Sequence, residues 1–417
     1  MGKIELLAPA GDLEKLKIAI LYGASAVYFG GESFSLRAGA GNFTLKQMEE
    51  GVDFAHENDA KAYLALNIFP HEEDLPNLKE TLRKLRKIDI DAYIISDPGV
   101  LSLVKEVNPD KEIHLSTQAN VTNHQSAAFW HQQGVNRVVL ARELTLEEIT
   151  SIRKNVPHDL QLEGFVHGAM CISYSGRCLL SNFMIQRDAN RGACAHPCRW
   201  KYALVEEKRP GEYYPVEEDS RGTYILNSRD LNMISHIPEL VDAGISSFKI
   251  EGRMKSIFYV ATVVGAYRRA LDAYERDPAH YVFDSRLMVE VSKASHREFT
   301  TGFYFHQPTH LDQNYQTSAY TRNYTFVGLV QECAPSGLAW VEQRNKMKVG
   351  DMVEIMSPNR EPFSQEIQQM WNEEGDLIEE APHPQQRVQI KFSQPVFPYD
   401  ILRRQDSNHV GEEVNNV

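Results

Sequence analysis

Glu112-Ile113-His114-Leu115-Ser116-Thr117, Asn136-Arg137-Val138-Val139-Leu140-Ala141 and Leu160-Gln161-Leu162-Glu163-Gly164-Phe165-Val166 are three short apolar runs separated by two helical patterns. Runs that are apolar at nearly every position are expected of parallel strands buried on both faces. Similar runs lie upstream at 4–8, 26–30, 61–67 and 92–96, and downstream at 246–251. The segments between them carry helix signals. Thr44-Leu45-Lys46-Gln47 and Thr145-Leu146-Glu147-Glu148 fit the capping box. Gly23, Gly134 and Gly244 sit where a helix ends on a left-handed residue. Residues 256–276 read as a closing helix. Eight such βα units predict an α/β fold, a TIM-type (β/α)8 barrel. A doubly wound sheet would carry a glycine-rich phosphate turn; Gly30-Gly31 follows the second run without a G-x-G-x-x-G pattern.

The barrel occupies residues 1–276 on this reading. The interval between the seventh and eighth runs, 167–245, is far longer than an ordinary βα connection. An insertion after a barrel strand lies at the catalytic face. Residues 277–322 read as a linker, and 323–405 alternate as short strands of a small C-terminal all-β barrel domain. Residues 406–417 form a frayed tail.

The formal net charge of the 417-residue chain is −13, so nucleic acid cannot be held by a uniformly basic surface. Taken alone, that charge reports solubility. Residues 321–405 hold nine basic and twelve acidic side chains and give no electrostatic support for RNA binding. The N-terminus lacks a signal-peptide pattern, and no apolar stretch approaches the roughly 18–20 residues of a membrane span. The expected address is cytoplasmic, with no membrane partner.

Four of the five cysteines fall in the insertion, as Cys171-x6-Cys178-x15-Cys194-x3-Cys198. Four thiolates suffice for an iron–sulfur cluster or for structural zinc. Zinc knuckles are usually paired at short spacing, and Cys171 and Cys178 stand too far apart for one, which favours a cluster. His167 and His196 are reserve ligands. Arg177, Arg187, Arg191, Arg199 and Lys201 surround the cysteines, with Asp188 as the one acidic residue between 171 and 201. Guanidinium groups would offset a cluster's negative charge and could also receive RNA phosphates. Tyr174, Phe183 and Trp200 suit base stacking or plain packing. Cys333 reads as a small buried hydrophobe on a strand.

The run Glu163-Gly164-Phe165-Val166-His167-Gly168-Ala169-Met170-Cys171, continued by Gly176-Arg177-Cys178-Leu179-Leu180-Ser181, resembles the signature of peptidase family U-32, the collagenase-like peptidases. Leu7-Ala8-Pro9-Ala10-Gly11, Ala26-Val27-Tyr28-Phe29-Gly30-Gly31, Arg191-Gly192-Ala193-Cys194-Ala195-His196-Pro197-Cys198-Arg199 and Lys249-Ile250-Glu251-Gly252-Arg253-Met254-Lys255 extend the likeness over roughly residues 4–275. Within the family, the resemblance is to the branch that makes 5-hydroxyuridine in bacterial tRNA. It implies a [4Fe-4S] cluster on Cys171, Cys178, Cys194 and Cys198, hydroxylation of the wobble uridine without dioxygen, and prephenate as a linked metabolite. Ribosomal RNA hydroxylation and peptidase activity are the other activities it suggests.

Strand ends should gather Asn67, Asp97, Ser116, Gln118, Arg142, Glu143, Glu163, His167 and Glu251 at the barrel mouth. Glu163, His167 and Arg142 are the expected catalytic groups, with Glu163 or His167 as general acid or base. Arg37, Arg253 and Gln118 are expected at the co-substrate. Arg37, Arg142 and Arg253 suit a phosphate or a dicarboxylate such as prephenate. For each residue singly, a buried ion pair or a capped strand end explains it as well. Asn227-Ser228-Arg229-Asp230 suits a helix cap. A peptidase finds no H-E-x-x-H helix and no G-x-S-x-G elbow in the chain.

Overall fold

A computed structural model describes residues 3–32, 42–171, 173–174, 177–200, 203–205, 213–215, 229–306, 320–334, 337–358 and 360–406. Eight parallel strands close into a barrel: β1 (Glu5–Pro9), β2 (Ala26–Gly30), β3 (Lys61–Leu66), β4 (Ala92–Ile95), β5 (Glu112–Leu115), β6 (Arg137–Val139), β7 (Gln161–Ala169) and β11 (Ser247–Ile250). Closure comes from β11, which pairs in parallel with both β1 and β7. The helices α1 (Leu13–Leu21), α2 (Leu45–Glu57), α3 (Leu75–Leu85), α4 (Pro98–Val107), α5 (His124–Gln132), α6 (Leu146–Lys154), α8 (Ile237–Asp242) and α9 (Ile257–Arg276) alternate with them. Both expected capping boxes form, with Thr44 and Thr145 accepting from the backbone of Gln47 and Glu148 and receiving those side chains in return.

The strands are apolar throughout because they bury two faces. Leu6, Ala8, Val27 and Phe29 join the large core beneath the helices. Leu7, Ala26, Tyr28, Tyr63, Ala92 and Ile94 form a separate cluster on the opposite faces of the same strands, inside the barrel.

The insertion leaves β7 and contains α7 (Leu180–Ile185) and the hairpin strands β8 (Ala203–Val205) and β9 (Tyr213–Pro215). It returns through β10 (Asp230–Asn232), antiparallel to the end of β7. Residues 277–322, read as a linker, carry α10 (Arg286–Lys293) and β12 (Phe299–Thr300). β12 pairs with β10, so this segment extends the barrel sheet. Asp230 belongs to β10 rather than to a helix cap; its carboxylate is 2.9 Å from Arg297, and both are buried. The chain then folds into an all-β domain around an eight-stranded sheet that includes Tyr324–Cys333, Leu338–Gln343, Met352–Met356, Arg387–Lys391 and Ile401–Gln405. Among the described residues, no helix is long and apolar enough to cross a membrane.

Candidate active site

One cavity of about 660 Å³ opens over the C-terminal ends of the barrel strands. Asn67, Ser116, Gln118, Arg142, Glu251 and Arg253 line it, as the strand-end argument expects. Gln118 is 3% exposed and its Oε1 has no hydrogen-bond partner. Arg142 donates to the Ala169 carbonyl at 3.0 Å and lies 3.9 Å over the Phe165 ring, with Nε unsatisfied. Gly11 explains part of the N-terminal motif. A Cβ there would stand 2.1 Å from the Arg253 carbonyl oxygen, so only glycine lets the Arg253 loop settle against the first strand–helix turn.

All four insertion cysteines line the same cavity. Local hydrogen bonds shape their loops. Asn190 brackets Cys178, accepting from its N–H at 3.1 Å and donating to its carbonyl at 3.2 Å. Cys178 Sγ accepts from the Leu180 N–H, and Cys194 Sγ from the His196 N–H, both at 3.4 Å. His196 takes a left-handed conformation, φ 57°, which turns the chain between Cys194 and Cys198. Backbone N–H donors to sulfur stabilise thiolates in metal and cluster sites. Among the described residues, no three His, Cys, Asp or Glu side chains stand close enough together to hold a metal ion. The donor set fits a four-thiolate group in chemistry and in its shared cavity, although no three of the sulfurs converge in this structure.

Four of the expected residues fall elsewhere. Glu163 is fully buried below the cavity floor, where it meets Lys249 Nζ at 2.6 Å and Arg137 Nη1 at 3.1 Å. Burial alone would raise its carboxyl, but Lys249 and Arg137 outweigh that and hold it at about 2. It stays ionised and is no neutral-pH acid. His167 lies behind the wall. The pairing of β7 with β11 shifts between Phe165↔Lys249 and His167↔Ile250, and this bulge turns His167 outward among Tyr259, Tyr267 and Phe299. Burial, followed by the nearby charges of Lys255 and His296, pushes its imidazole down to about 3. Asp97 caps α4 by accepting from Gly99 and Val100, and Glu143 does not line the cavity. Arg37, Lys201 and the side chain of Arg199 lie outside the described residues.

The expected basic patch is partly spent on the protein itself. Arg191 is 3.1 Å from Asp74, Arg177 donates to the Gln118 carbonyl at 3.0 Å, and Arg187 donates to the Ala193 carbonyl at 3.1 Å. Positive charge collects instead on the cavity wall. Among the described residues, its lining contains Arg142, Lys249, Arg253, Lys255 and Arg322 against the single carboxylate Glu251. Lys249 and Arg322 were not among the expected residues. Neither were Tyr320, Tyr324, Phe326 and Asn345, which bring the C-terminal segment into the same wall. The sequence signal for Lys249 was a lysine inside the apolar run Phe248-Lys249-Ile250, matched by Glu163 inside Leu162-Glu163-Gly164-Phe165. Opposite charges embedded in two strands need each other to be buried.

The model of peptidase family U32 matches residues 11–314, and that of the U32 C-terminal domain matches residues 322–403. The chain belongs to peptidase family U32. Among its relatives, tRNA hydroxylation protein P1 of Bacillus subtilis is 41% identical over 403 residues, covering 96% of this chain and 95% of that protein. The tRNA hydroxylation protein P of Escherichia coli is 38% identical and covers 100% and 99%. A protein of Porphyromonas gingivalis named Collagenase is 32% identical and covers 97% and 99%.

Proposed function

We propose that this chain is an RNA hydroxylase that converts the wobble uridine of tRNA to 5-hydroxyuridine without dioxygen, using an iron–sulfur cluster and a small-molecule oxygen donor linked to prephenate. The observation that carries the reading is the joint lining of one cavity by four cysteines and five cationic side chains in a protein of net charge −13. The full-length likeness to proteins named for tRNA hydroxylation supports the same chemistry.

Cys171, Cys178, Cys194 and Cys198 would hold the cluster, which when bound would supply one-electron chemistry. The chain's own residues bind and orient. A cavity of about 660 Å³ admits an unstacked base, and base chemistry requires extrusion from the stack. Tyr28, Phe165 and Phe326 offer apolar ring faces, while Arg142, Arg253 and Lys255 meet phosphate or carboxylate oxygens. We place the protein in the cytoplasm with its RNA.

The test is anaerobic purification followed by single-turnover modification of tRNA. Wild-type protein should contain iron and sulfide and yield 5-hydroxyuridine. Serine at any of the four cavity cysteines should abolish both, while Cys333→Ser, on an exposed strand position, should retain both. A colourless wild-type protein, or unchanged tRNA nucleosides in a deletion strain, overturns the assignment; a missing ribosomal RNA mark would move it to that substrate. The Collagenase relative motivates a peptidase reading, which requires gelatin cleavage that survives iron chelation and is lost in Cys171→Ser.

A further inference from the structure

The inner end of the barrel is polar rather than filled by branched side chains. Glu5 binds Ser247 Oγ at 2.7 Å, Tyr63 OH at 2.6 Å and Arg137 Nη2 at 3.1 Å. Arg137 passes on to Glu163, and Glu163 to Lys249. Two cations face two carboxylates, so the layer is neutral, and each member is hydrogen-bonded. A satisfied network of this kind is rigid. Its upper member differs from the rest, because Lys249 also lines the cavity whereas Glu163 does not. Its Nζ lies 4.5 Å from the Tyr28 ring centroid, and Tyr28 lines the cavity too.

We propose that Lys249 is the catalytic contact at the cavity floor, donating N–H bonds to the ligand oxygen on which negative charge develops, and that Glu163 is a positioning residue acting through it. The inference rests on the reading that a pyrimidine base enters this cavity. The oxygen donor delivers a hydroxyl equivalent to carbon 5 of the uracil and departs with the electron pair of its broken bond to that oxygen, and the carbon-5 hydrogen then leaves as a proton; that carbon is α to the 4-carbonyl, so the 4-oxygen takes up negative charge as the proton leaves. An ammonium has three donors. Glu163 takes one, and a preorganised donor in a site shielded from water stabilises developing charge far more than water does. The groups that face Lys249 across the barrel are Glu163, Arg137, Glu5, His114, Tyr28 and Tyr63, from β7, β6, β1, β5, β2 and β3. Burial lowers its amine and Glu163 opposes the fall, so loss of that carboxylate would lower the amine further.

The experiment uses the anaerobically purified holoprotein, tRNA binding by fluorescence anisotropy and single-turnover 5-hydroxyuridine formation across pH. Lys249→Met should bind tRNA within about twofold of wild type and lose roughly a hundredfold or more in rate, the range for removal of one such donor. Lys249→Arg should recover part of the rate. Glu163→Gln should act differently: with its carboxylate gone the amine deprotonates more easily, and the alkaline limb of the rate profile should move to lower pH. If Lys249→Met does not fold, the paired Glu163→Leu/Lys249→Met removes both charges and serves in its place, since trading a buried pair for apolar groups is often neutral in stability. A folded Lys249 variant with wild-type rate, or an unmoved alkaline limb in Glu163→Gln, overturns the proposal. Wild-type protein that neither binds nor modifies tRNA overturns the underlying reading instead.

Discussion

Arg403 donates to both carboxylate oxygens of Glu290, at 2.6 and 3.0 Å, joining the last strand of the C-terminal domain to α10. The Arg403 side chain is fully buried and also reaches Glu354 at 2.7 Å; Lys293 adds contacts to both glutamates. This cluster matters to the site because Tyr324 and Phe326, on the neighbouring strand, face the cavity. Arg403→Met should destabilise the protein by about 3 kcal/mol, because the buried Glu290 carboxylate loses its bidentate partner. Arg403→Met combined with Glu290→Leu should cost less than the sum of the two single changes. Denaturant midpoints of the three variants check both statements; strict additivity would refute the coupling.

His167 makes acid stability testable. Its imidazole titrates near 3 in the folded chain against an ordinary 6.5. Below pH 6.5 the unfolded chain gains a proton that the folded chain does not, so the stabilising contribution is intact above 6.5 and drains as pH falls towards 3. Each pH unit in that window should cost on the order of 1.4 kcal/mol from this residue. His167→Gln should show a flatter fall in unfolding free energy between pH 6.5 and 4.5. An identical slope in wild type and variant would mean the imidazole is already protonated or solvated in the fold.

The barrel was legible because its strands are buried on both faces and its helices begin at recognisable caps. The cysteine cavity was legible because the insertion follows a strand, and such loops converge on one face. His167 was misplaced for a definite reason: counting by twos from Glu163 through Phe165 points it inward, and the bulge adds one residue that no periodicity reveals. The helix α10 and strand β12 were read as linker because each is short, and what stabilises them is distant. α10 is tied to Arg403, 113 residues on from Glu290. The cavity wall supplied by Tyr320, Arg322 and Asn345 depends on how the C-terminal domain docks, which local pattern does not encode.

Gln118 separates the demands of folding from those of the site. The residue is 3% exposed, and Oε1 has no partner among the described residues. A buried acceptor left unmade costs roughly 1–3 kcal/mol, so the folded chain bears a penalty that a ligand donor would relieve. Gln118→Leu replaces the amide with an apolar group of similar length. It should therefore melt no lower than wild type, and by up to several degrees higher, while binding or modifying tRNA at least tenfold less well. Gln118→Glu should retain an acceptor and lose less. Thermal melts and single-turnover rates on the same preparations decide the matter. A Gln118→Leu protein that is both destabilised and fully active would show that the amide serves the fold through a contact of its own, and that the ligand never meets it.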